Sequence, residues 1–596
     1  MKIAIAQLNP TIGDLTGNAQ QILDAARQAS EQGARLLLTT ELSLCGYPPK
    51  DLLMQPSFVG AIAQELKSLA QSLPPDLAVL VGAPMPNTRL HLNGGKSLYN
   101  TAVLLQHGQI QDIFFKRLLP TYDVFDEDRY FEPGKESGWF ELADDAASGS
   151  VLKIGVTICE DLWNDEDFWG KPTYGVKPLD DLAAQGVNLV VNLSASPFCV
   201  GKQQMREAML CHGAKRCQLP ILYANQAGGN DDLLFDGNSF ALNQDGDLVM
   251  RASAFQTDLV YITINASTGD LEAAAVVPLP NCPEAEIWAA LVMGVQDYVR
   301  KCGFRRVVLG LSGGIDSSLV AAIATAALGG ENVLGVLMPS PYSSDHSISD
   351  ALQLAENLGI TTYTLPIQPV MQGFDTTLDD LFAETEPGVA EENIQSRIRG
   401  TLLMAISNKF GHLLLSTGNK SEMAVGYCTL YGDMNGGLGA IADVPKTWVF
   451  AICHWLNKRG WQEWHYDLAA PQEVIPQNIL TKPPSAELKP DQIDQDSLPS
   501  YDVLDDILDR FVENHESPRA IVAAGHDSAV VEDVVRLVTR AEFKRKQAPP
   551  GLKITERAFG TGWRMPIANR WRPSTHHLTA DTPAPSNKPI PTYAPH

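Results

Sequence analysis

The sequence predicts a mixed α/β protein of two domains, and three observations carry this. Strand and helix patterns alternate through the first 265 residues, with antiparallel stretches among them. A connector over 266–285, rich in proline and turn residues, interrupts the alternation. Beyond it, strand–helix–strand units follow one another around a Gly-Gly turn, the pattern of a doubly wound parallel sheet. At 596 residues each half is long enough to bury its own core. Hydrophobic content of 44% and charged content of 19% are ordinary for a globular chain, and no apolar run of about 18 residues predicts a membrane span. The net charge of -25 argues against a nucleic-acid partner. Nine cysteines without a C-x-x-C argue against zinc and disulfide frameworks. Met1–Pro10 reads as a strand rather than a signal-peptide core, so a cytoplasmic enzyme is expected.

Taken in order, Lys2–Leu8 reads as a strand and Asn18–Ser30 as a helix with Ile22, Ala25, Ala26 and Ala29 on one face. Arg35–Leu42 is a second strand, which delivers Glu41. Phe58–Leu73 reads as a helix and Leu77–Ala83 as a strand. Ser97–Leu105 and Ile110–Leu118 form a hairpin around His107-Gly108-Gln109 and bring in Lys116. Val151–Ile158 is a strand that ends at Cys159. Val187–Leu193 is a strand followed by a Ser-Ala-Ser-Pro turn containing Ser196. Lys202–Cys217 is helical, Ile221–Ala224 is a strand, and Ser239–Ile264 holds two or three more.

Glu41, Lys116 and Cys159 all fall at strand ends, and together they cover the needs of a thiol attacking an amide. A carboxylate takes the thiol proton and returns it to departing ammonia, and an ammonium stabilises the oxyanion. No histidine flanks Cys159 or Glu41 in sequence, so a Cys–His dyad is not suggested. A cysteine at a strand end also serves as a small buried hydrophobe, and spacing alone does not choose between these roles. The flanking residues do. Glu41-Leu-Ser-Leu-Cys-Gly-Tyr-Pro-Pro, Lys116-Arg-Leu-Leu-Pro-Thr-Tyr-Asp-Val-Phe-Asp-Glu and Ile158-Cys-Glu-Asp-Leu-Trp resemble the three blocks of the nitrilase, or carbon–nitrogen hydrolase, superfamily. The resemblance covers residues 1–265 and implies an α-β-β-α sandwich and amidase chemistry through a thioester. Within that superfamily the blocks look like a glutaminase domain, which implies glutamine-site roles for Tyr122, Ser196 and Lys202. Cys45 departs from the small hydroxyl residue expected there, and Cys199 reads as packing.

In the second half, Glu286–Cys302 reads as an amphipathic helix. Val307–Leu311 is a short buried strand and Leu319 opens an alanine-rich helix. The turn between them, Ser-Gly-Gly-Ile-Asp-Ser-Ser, makes an anion site from backbone N–H groups and a helix N-terminus. Gly313 and Gly314 allow positive φ there, the serines donate, and Asp316 is suited to hold a cation. Gly-x-x-x-x-Gly-Lys-[Ser/Thr] does not occur, so this is not a Walker A loop. It resembles the Ser-Gly-Gly-x-Asp-Ser signature of enzymes that split ATP into AMP and pyrophosphate. Val333–Met338, Ser347–Asn357 and Thr361–Leu365 continue the strand–helix–strand pattern. Asn393 opens a helix to about Phe410 whose polar face, with Arg397 and Arg399, suits a pyridine carboxylate or a phosphate. A strand at Leu413 ends at Thr417, and Glu422 follows, placed to share Mg²⁺ with Asp316. Lys446 is positioned to clamp ATP, and Lys544 sits in a compact basic cluster after the helix Val531–Phe543.

These blocks resemble the NAD synthetase family over residues 286–571, which implies a Rossmann-like fold of the adenine nucleotide alpha hydrolase kind. By that resemblance Asn393, Glu422 and Lys544 contact deamido-NAD, with Arg397 beside them. Gly310, Leu311, Ser312, Gly313, Gly314, Ile315, Asp316, Ser317, Thr417, Lys446 and Ser485 contact ATP, and Asp316 and Glu422 hold magnesium. Ser485 stands where threonine is usual, and Pro341 where many relatives carry arginine. Residues 572–596, rich in Pro, Ser, Thr and Ala, are expected to be disordered.

The resulting expectation is a thiol amidase fused to an ATP pyrophosphatase, acting on glutamine, ATP and deamido-NAD, with no nucleic-acid or membrane partner. The family resemblance adds a homo-oligomer. A different adenylating amidotransferase, or a silent amidase half that only scaffolds oligomers, are the competing readings. The Asn393, Thr417 and Glu422 blocks weigh against the first, and the intact Glu41–Lys116–Cys159 set against the second.

Overall fold

The computed structural model describes residues 1–571 except 89, 91–93, 144–150, 266–267, 464–472 and 490–491. The expected disordered tail at 572–596 therefore lies outside the described residues. The chain divides into two compact units, Met1–Leu279 and a second from Pro280.

The first unit is built on two six-stranded sheets. One runs in the order β14-β1-β2-β3-β4-β5 and the other β13-β12-β9-β8-β7-β6. Its strands are β1 (Lys2–Gln7), β2 (Leu36–Leu38), β3 (Ala78–Pro86), β4 (Leu98–Gln106), β5 (Gln109–Phe115), β6 (Gly138–Ala143), β7 (Val151–Ile158), β8 (Leu189–Ser194), β9 (Ile221–Asn225), β10 (Ala227–Asn230), β11 (Leu233–Asp236), β12 (Phe240–Leu242), β13 (Leu248–Arg251) and β14 (Asp258–Thr263); β10 and β11 form a separate ribbon. Alternation along each strand sends one set of side chains inward. Ile3, Ile5, Leu36, Leu38 and Leu80 from the first sheet share a core with Ile154, Ile158, Leu189, Val191 and Leu222 from the second. The opposite positions, such as Ala4, Ala6 and Leu37, pack with Ile22, Ala26, Ile62 and Leu66 of the helices Leu15–Glu31 and Pro56–Ser72. On the far side Val190, Ile221 and Tyr223 meet Leu182 and Leu210 of the helices Pro178–Ala184 and Lys202–Cys217. This is an α-β-β-α sandwich. The hairpin turns at His107 and Gly108, both at positive φ, with Gln106 opposite Gln109. Residues of the expected connector pair with this unit: Ala274 N–H donates to Val249 O, and Arg251 N–H to Ala275 O.

The second unit holds a five-stranded parallel sheet: β15 (Val307–Gly310), β16 (Val333–Leu337), β17 (Thr361–Thr364), β18 (Leu413–Ser416) and β19 (Leu438–Gly439). Its order is β17-β16-β15-β18-β19. The chain therefore reverses direction across the sheet between β15 and β18. In such sheets the crevice past the strand C-termini at that reversal is the ligand site. The helix Ile315–Leu328, with eleven of its fourteen residues buried, backs the sheet. The helix Val389–Phe410 packs Ile398 against Val308, Val336 and Leu414 of the sheet, and a separate helical cluster of Leu504, Ile507, Val531, Val534 and Val538 packs with Ala424 and Val425.

Two boundaries and one element differ from expectation. β2 stops at Leu38, so Glu41 lies on a turn beyond the strand rather than in it. The helix after β15 begins at Ile315 rather than Leu319, because Gly314 takes an extended φ of -93° and serves as its N-cap. Gly314 thus does not use positive φ; Gly313 does, at +73°. A helix at Gln368–Phe382 stands where the sequence analysis places no element; Val370, Met371, Phe374, Leu378 and Leu381 recur at helical spacing along it, although none of its residues is buried.

Candidate active site

Glu41 is delivered by the turn after β2, where Leu42 adopts φ +47°. This turn lies so close to β3 that a Cβ on Gly82 would stand 2.3 Å from both Thr40 O and Leu42 N, which is why glycine occupies position 82. Glu41 is 1% exposed. Its Oε1 accepts from Lys116 Nζ at 2.7 Å and Asn100 Nδ2 at 2.8 Å, and its Oε2 from the Ala195 amide at 3.1 Å. Lys116 lies one residue past β5 and is fully buried. Its ammonium also donates to Glu127 Oε1 at 2.8 Å, and Glu127 accepts from Tyr47 OH at 2.9 Å. Burial works against the charge on Lys116, but Glu127 and Glu41 overcome it and hold the ammonium protonated. Glu127 is pushed up by its own burial, against the pull of Lys116.

Cys159 begins a tight turn, Cys159–Leu162, directly after β7, and its φ is +45°. Burial, and after it the Glu41 carboxylate, push its thiol well above the ordinary value, while Lys116 pulls the other way. The thiol therefore rests protonated, beside a base and a cation. Glu160, the next residue, is buried and accepts from Tyr122 OH at 3.0 Å and Tyr174 OH at 2.9 Å. Tyr122 keeps about half its surface open, 48%, while its hydroxyl turns inward. Ser196 is buried, and its amide donates to Asn225 Oδ1. Lys202 opens its helix, donates to Pro197 O at 2.8 Å, and lies 5.5 Å from the Trp163 ring centre. Cys45 is buried, its thiol within 3.6 Å of Leu42 O and pushed up to about 12 by burial. It packs as a neutral side chain.

In the second unit, the turn between β15 and the helix Ile315–Leu328 is drawn tight. A Cβ on Gly313 would meet Ser347 O at 2.2 Å. Ser317 and Ser318 hydroxyls donate back to Gly314 O at 3.0 and 2.8 Å. Asp316 accepts from Asn419 Nδ2 at 2.8 Å and from Lys446 Nζ at 2.5 Å, and Lys446 reaches Glu422 Oε1 at 3.2 Å. Asp316, Glu422 and Lys446 thus converge at the sheet reversal, with Thr417 one residue past β18. Burial pushes the Glu422 carboxyl up, while Lys446 pulls it down. Two carboxylates around one cation form a donor set that fits magnesium, which takes one or two carboxylates and fills the rest of its octahedron with phosphates and water. Among the described residues no group of three or more His, Cys, Asp or Glu is placed to hold a metal.

Asn393, Arg397 and Lys544 converge on one stretch beyond Glu422. Asn393 Oδ1 accepts from Thr429 Oγ1, Arg397 Nε donates to Leu430 O, and Lys544 Nζ donates to Gly426 O and Cys428 O. The Ser485 hydroxyl accepts from the Glu487 amide, and Glu487 and Lys482 both bond Ser347, the residue pressed against Gly313. Pro341 occupies the first central position of the turn closed by Ser343 N–H to Ser340 O, where its fixed φ is favourable. Glu127, Asn100, Tyr47, Glu160 and Tyr174 were not singled out in sequence. Glu127 and Glu160 stand inside the quoted blocks. The signal available was that a fully buried lysine, or a carboxylate beside a nucleophile, requires partners.

Residues 2–272 match the carbon-nitrogen hydrolase family and residues 287–548 the NAD synthase family. The chain is 60% identical over 571 residues to the glutamine-dependent NAD(+) synthetase of Synechocystis sp., covering 96% of this chain and 99% of that one. It is 42% identical over 606 residues to the enzyme of the same description from Thermotoga maritima, at 96% and 99% coverage. A solved structure of glutamine-dependent NAD+ synthetase from Acinetobacter baumannii, in complex with adenosine diphosphate, superposes with a TM-score of 0.73 at 40% identity, covering 96% of this chain and 99% of that one. No described helix is long and apolar enough to cross a membrane.

Proposed function

The chain belongs to the glutamine-dependent NAD(+) synthetase family, and from that premise we propose how its residues divide the work. As a ligase it transfers the amide nitrogen of glutamine to deamido-NAD, with ATP as co-substrate, giving NAD, AMP, pyrophosphate and glutamate. The observation that carries the assignment of residues is the fully buried Lys116 ammonium shared by Glu41 and Glu127 beside a buried thiol.

Glu41 takes the proton of Cys159 as Sγ attacks the carboxamide carbon. The developing oxyanion is stabilised by Lys116, which needs no reorganisation because it is already fixed. Glu41 returns the proton to the departing nitrogen, ammonia leaves, and a thioester remains. Glu41 then deprotonates water, whose oxygen attacks the thioester carbon; Sγ leaves and recovers the proton. Glu160, with Tyr122 and Tyr174, suits the α-ammonium of glutamine, and Lys202 with Ser196 its α-carboxylate. Cys45 takes no part.

In the second unit the deamido-NAD carboxylate attacks the α-phosphorus of ATP and pyrophosphate departs. Ammonia then adds to the activated carbonyl and AMP leaves. The Gly310–Ser317 turn, Thr417, Lys446 and Ser485 hold ATP; the adenosine diphosphate bound by the Acinetobacter relative supports an adenine nucleotide here. Asp316 and Glu422 would hold magnesium, which when bound would neutralise charge on the departing pyrophosphate. Asn393, Arg397, Glu422 and Lys544 receive deamido-NAD. Pro341 supplies no cation, so phosphate contact falls to the turn amides and Lys446. All nine cysteines are free, which suits a reducing cytoplasm. A homo-oligomer follows from the family resemblance alone, and sedimentation velocity tests it directly.

The deciding experiment follows NAD formation from deamido-NAD and Mg-ATP by wild type and Cys159→Ala, each supplied with glutamine or ammonium. The variant loses the glutamine-fed reaction and keeps the ammonium-fed one. Wild type that forms no NAD from either nitrogen source, while folded, overturns the assignment.

A further inference from the structure

Asp161 joins the two halves of the amidase set and touches neither reacting atom. It lies two residues past Cys159 and is 4% exposed. Its Oδ2 accepts from the Ile158 amide at 3.0 Å. Its Oδ1 accepts from the Arg117 amide at 3.0 Å and the Leu118 amide at 2.9 Å. Ile158 is the last residue of β7 and immediately precedes the nucleophile. Arg117 and Leu118 immediately follow Lys116 at the end of β5. β5 and β7 belong to different sheets, so a single carboxylate bolts the two sheets together at the point where each delivers a catalytic group.

Two features call for such a bolt. Cys159 sits at φ +45°, a backbone conformation that residues with a side chain seldom adopt, and which persists only where surrounding bonds impose it. The bond from Ile158 N–H imposes it from one side. Lys116 is pinned by its own amide to Asn100 O at 2.9 Å and by Gly134 N–H to its carbonyl at 2.8 Å. The first of those bonds ties it to β4 of its own sheet; Asp161 ties the two residues after it to the amide just before the thiol. Every hydrogen bond Asp161 makes comes from a backbone amide, so its geometry is set by the fold and not by a mobile side-chain partner.

We infer that Asp161 is a positioning residue for amide cleavage: by holding the amides of Ile158, Arg117 and Leu118 together, it sets the separation between the Cys159 thiol and the Lys116 ammonium. The inference rests on the roles given above to those two residues. A misplacement of about 1 Å between reacting groups costs on the order of 100-fold in rate.

The test compares wild type, Asp161→Asn and Asp161→Ala. Asparagine keeps the size but turns one acceptor into an NH₂ donor, so at least one of the three amides loses its partner. Three quantities are read: kcat and KM for glutamine-fed NAD formation, the ammonium-fed rate, and the fraction of Cys159 thioester trapped by acid quench and mass spectrometry. For Asp161→Asn the glutamine-fed kcat falls about 10- to 100-fold, with the glutamine KM within about threefold, the ammonium-fed rate within about twofold and less thioester accumulated. Glutamine-fed kcat within about twofold of wild type in both variants overturns the inference. So does a loss confined to KM, which would make Asp161 a substrate-site residue, and so does a parallel loss of both feeds in both variants, which would make it a general folding residue. If wild type itself forms no thioester from glutamine, the failure lies with the amidase reading and not with Asp161 in particular.

Discussion

The nucleophile's role proposed for Cys159 falls to a thiol that burial and Glu41 hold in its protonated form. A raised thiol pKa means that the thiolate is scarce at neutral pH and grows with pH up to the raised value. Alkylation of Cys159 by iodoacetamide is therefore expected to be slow at pH 7 and to rise through pH 9 without levelling, followed by mass spectrometry of the Cys159 peptide. A plateau below pH 8 would mean a preformed thiolate and a different mechanism. The same reasoning makes Glu41 indispensable at the moment of attack. Glu41→Gln keeps an acceptor for the Ala195 amide but cannot take a proton. We expect the glutamine-fed rate to fall by about 10²–10⁴-fold, while the ammonium-fed rate stays within about twofold. Equal loss of both would place Glu41 in the fold rather than in the chemistry. The three principal residues were legible in sequence because each stands at or shortly past a strand end within a distinctive block. Their pairings were not, although Tyr47 and Glu127 lie inside those blocks, because Tyr47 reaches Glu127 across 80 residues and Asn100 reaches Glu41 across 59. Such contacts are products of the fold and leave no local pattern.

At the scale of elements, the turn after β15 is the part whose backbone matters most. Gly313 is at φ +73°, and a Cβ there would stand 2.2 Å from Ser347 O, a backbone atom that cannot swing aside. Gly313→Ala is thus expected to reduce ammonium-fed NAD formation by at least about 10-fold, since the turn must open by strain of about 1–3 kcal/mol. Glutamate release from glutamine should persist. Retention of full ammonium-fed activity would mean that the turn is not the phosphate site. The sequence identified this turn from its glycines and hydroxyls, but started the helix four residues late, at the first long apolar run. The helix in fact begins at Ile315, which puts Asp316 and Ser317 in its first turn. Apolar runs mark where a helix is buried, whereas its start is set by backbone conformation at Gly314. The unexpected helix Gln368–Phe382 was legible too, for Val370, Met371, Phe374, Leu378 and Leu381 recur at helical spacing even though none of its residues is buried. The parallel sheet itself was readable, since Val307–Gly310 and Leu413–Ser416 are short continuous apolar runs.

At the scale of the whole molecule, two chemistries with different needs share one chain. In the first unit, the positive charge proposed to face the oxyanion is the Lys116 ammonium, built into the fold and held there by two carboxylates. In the second, pyrophosphate departure concentrates negative charge that Lys446 alone meets only in part, because its ammonium is already engaged by Asp316 and Glu422. Those carboxylates make sense as ligands for a divalent cation, which would leave Lys446 to face phosphate. The global charge of -25 sharpens the point, since polyanionic substrates must be drawn in by local groups against the net field. Removal of divalent metal should therefore separate the two activities. With EDTA in excess, pyrophosphate release and NAD formation are expected to stop with either nitrogen source, while glutamate release from glutamine continues within about twofold. Both products can be assayed in the same sample, and readdition of magnesium should restore the lost pair. If glutamate release also ceased and returned with magnesium alone, Lys116 would not be the whole of the oxyanion's support. If pyrophosphate release survived chelation, Asp316 and Glu422 would have to be serving Lys446 and not a metal.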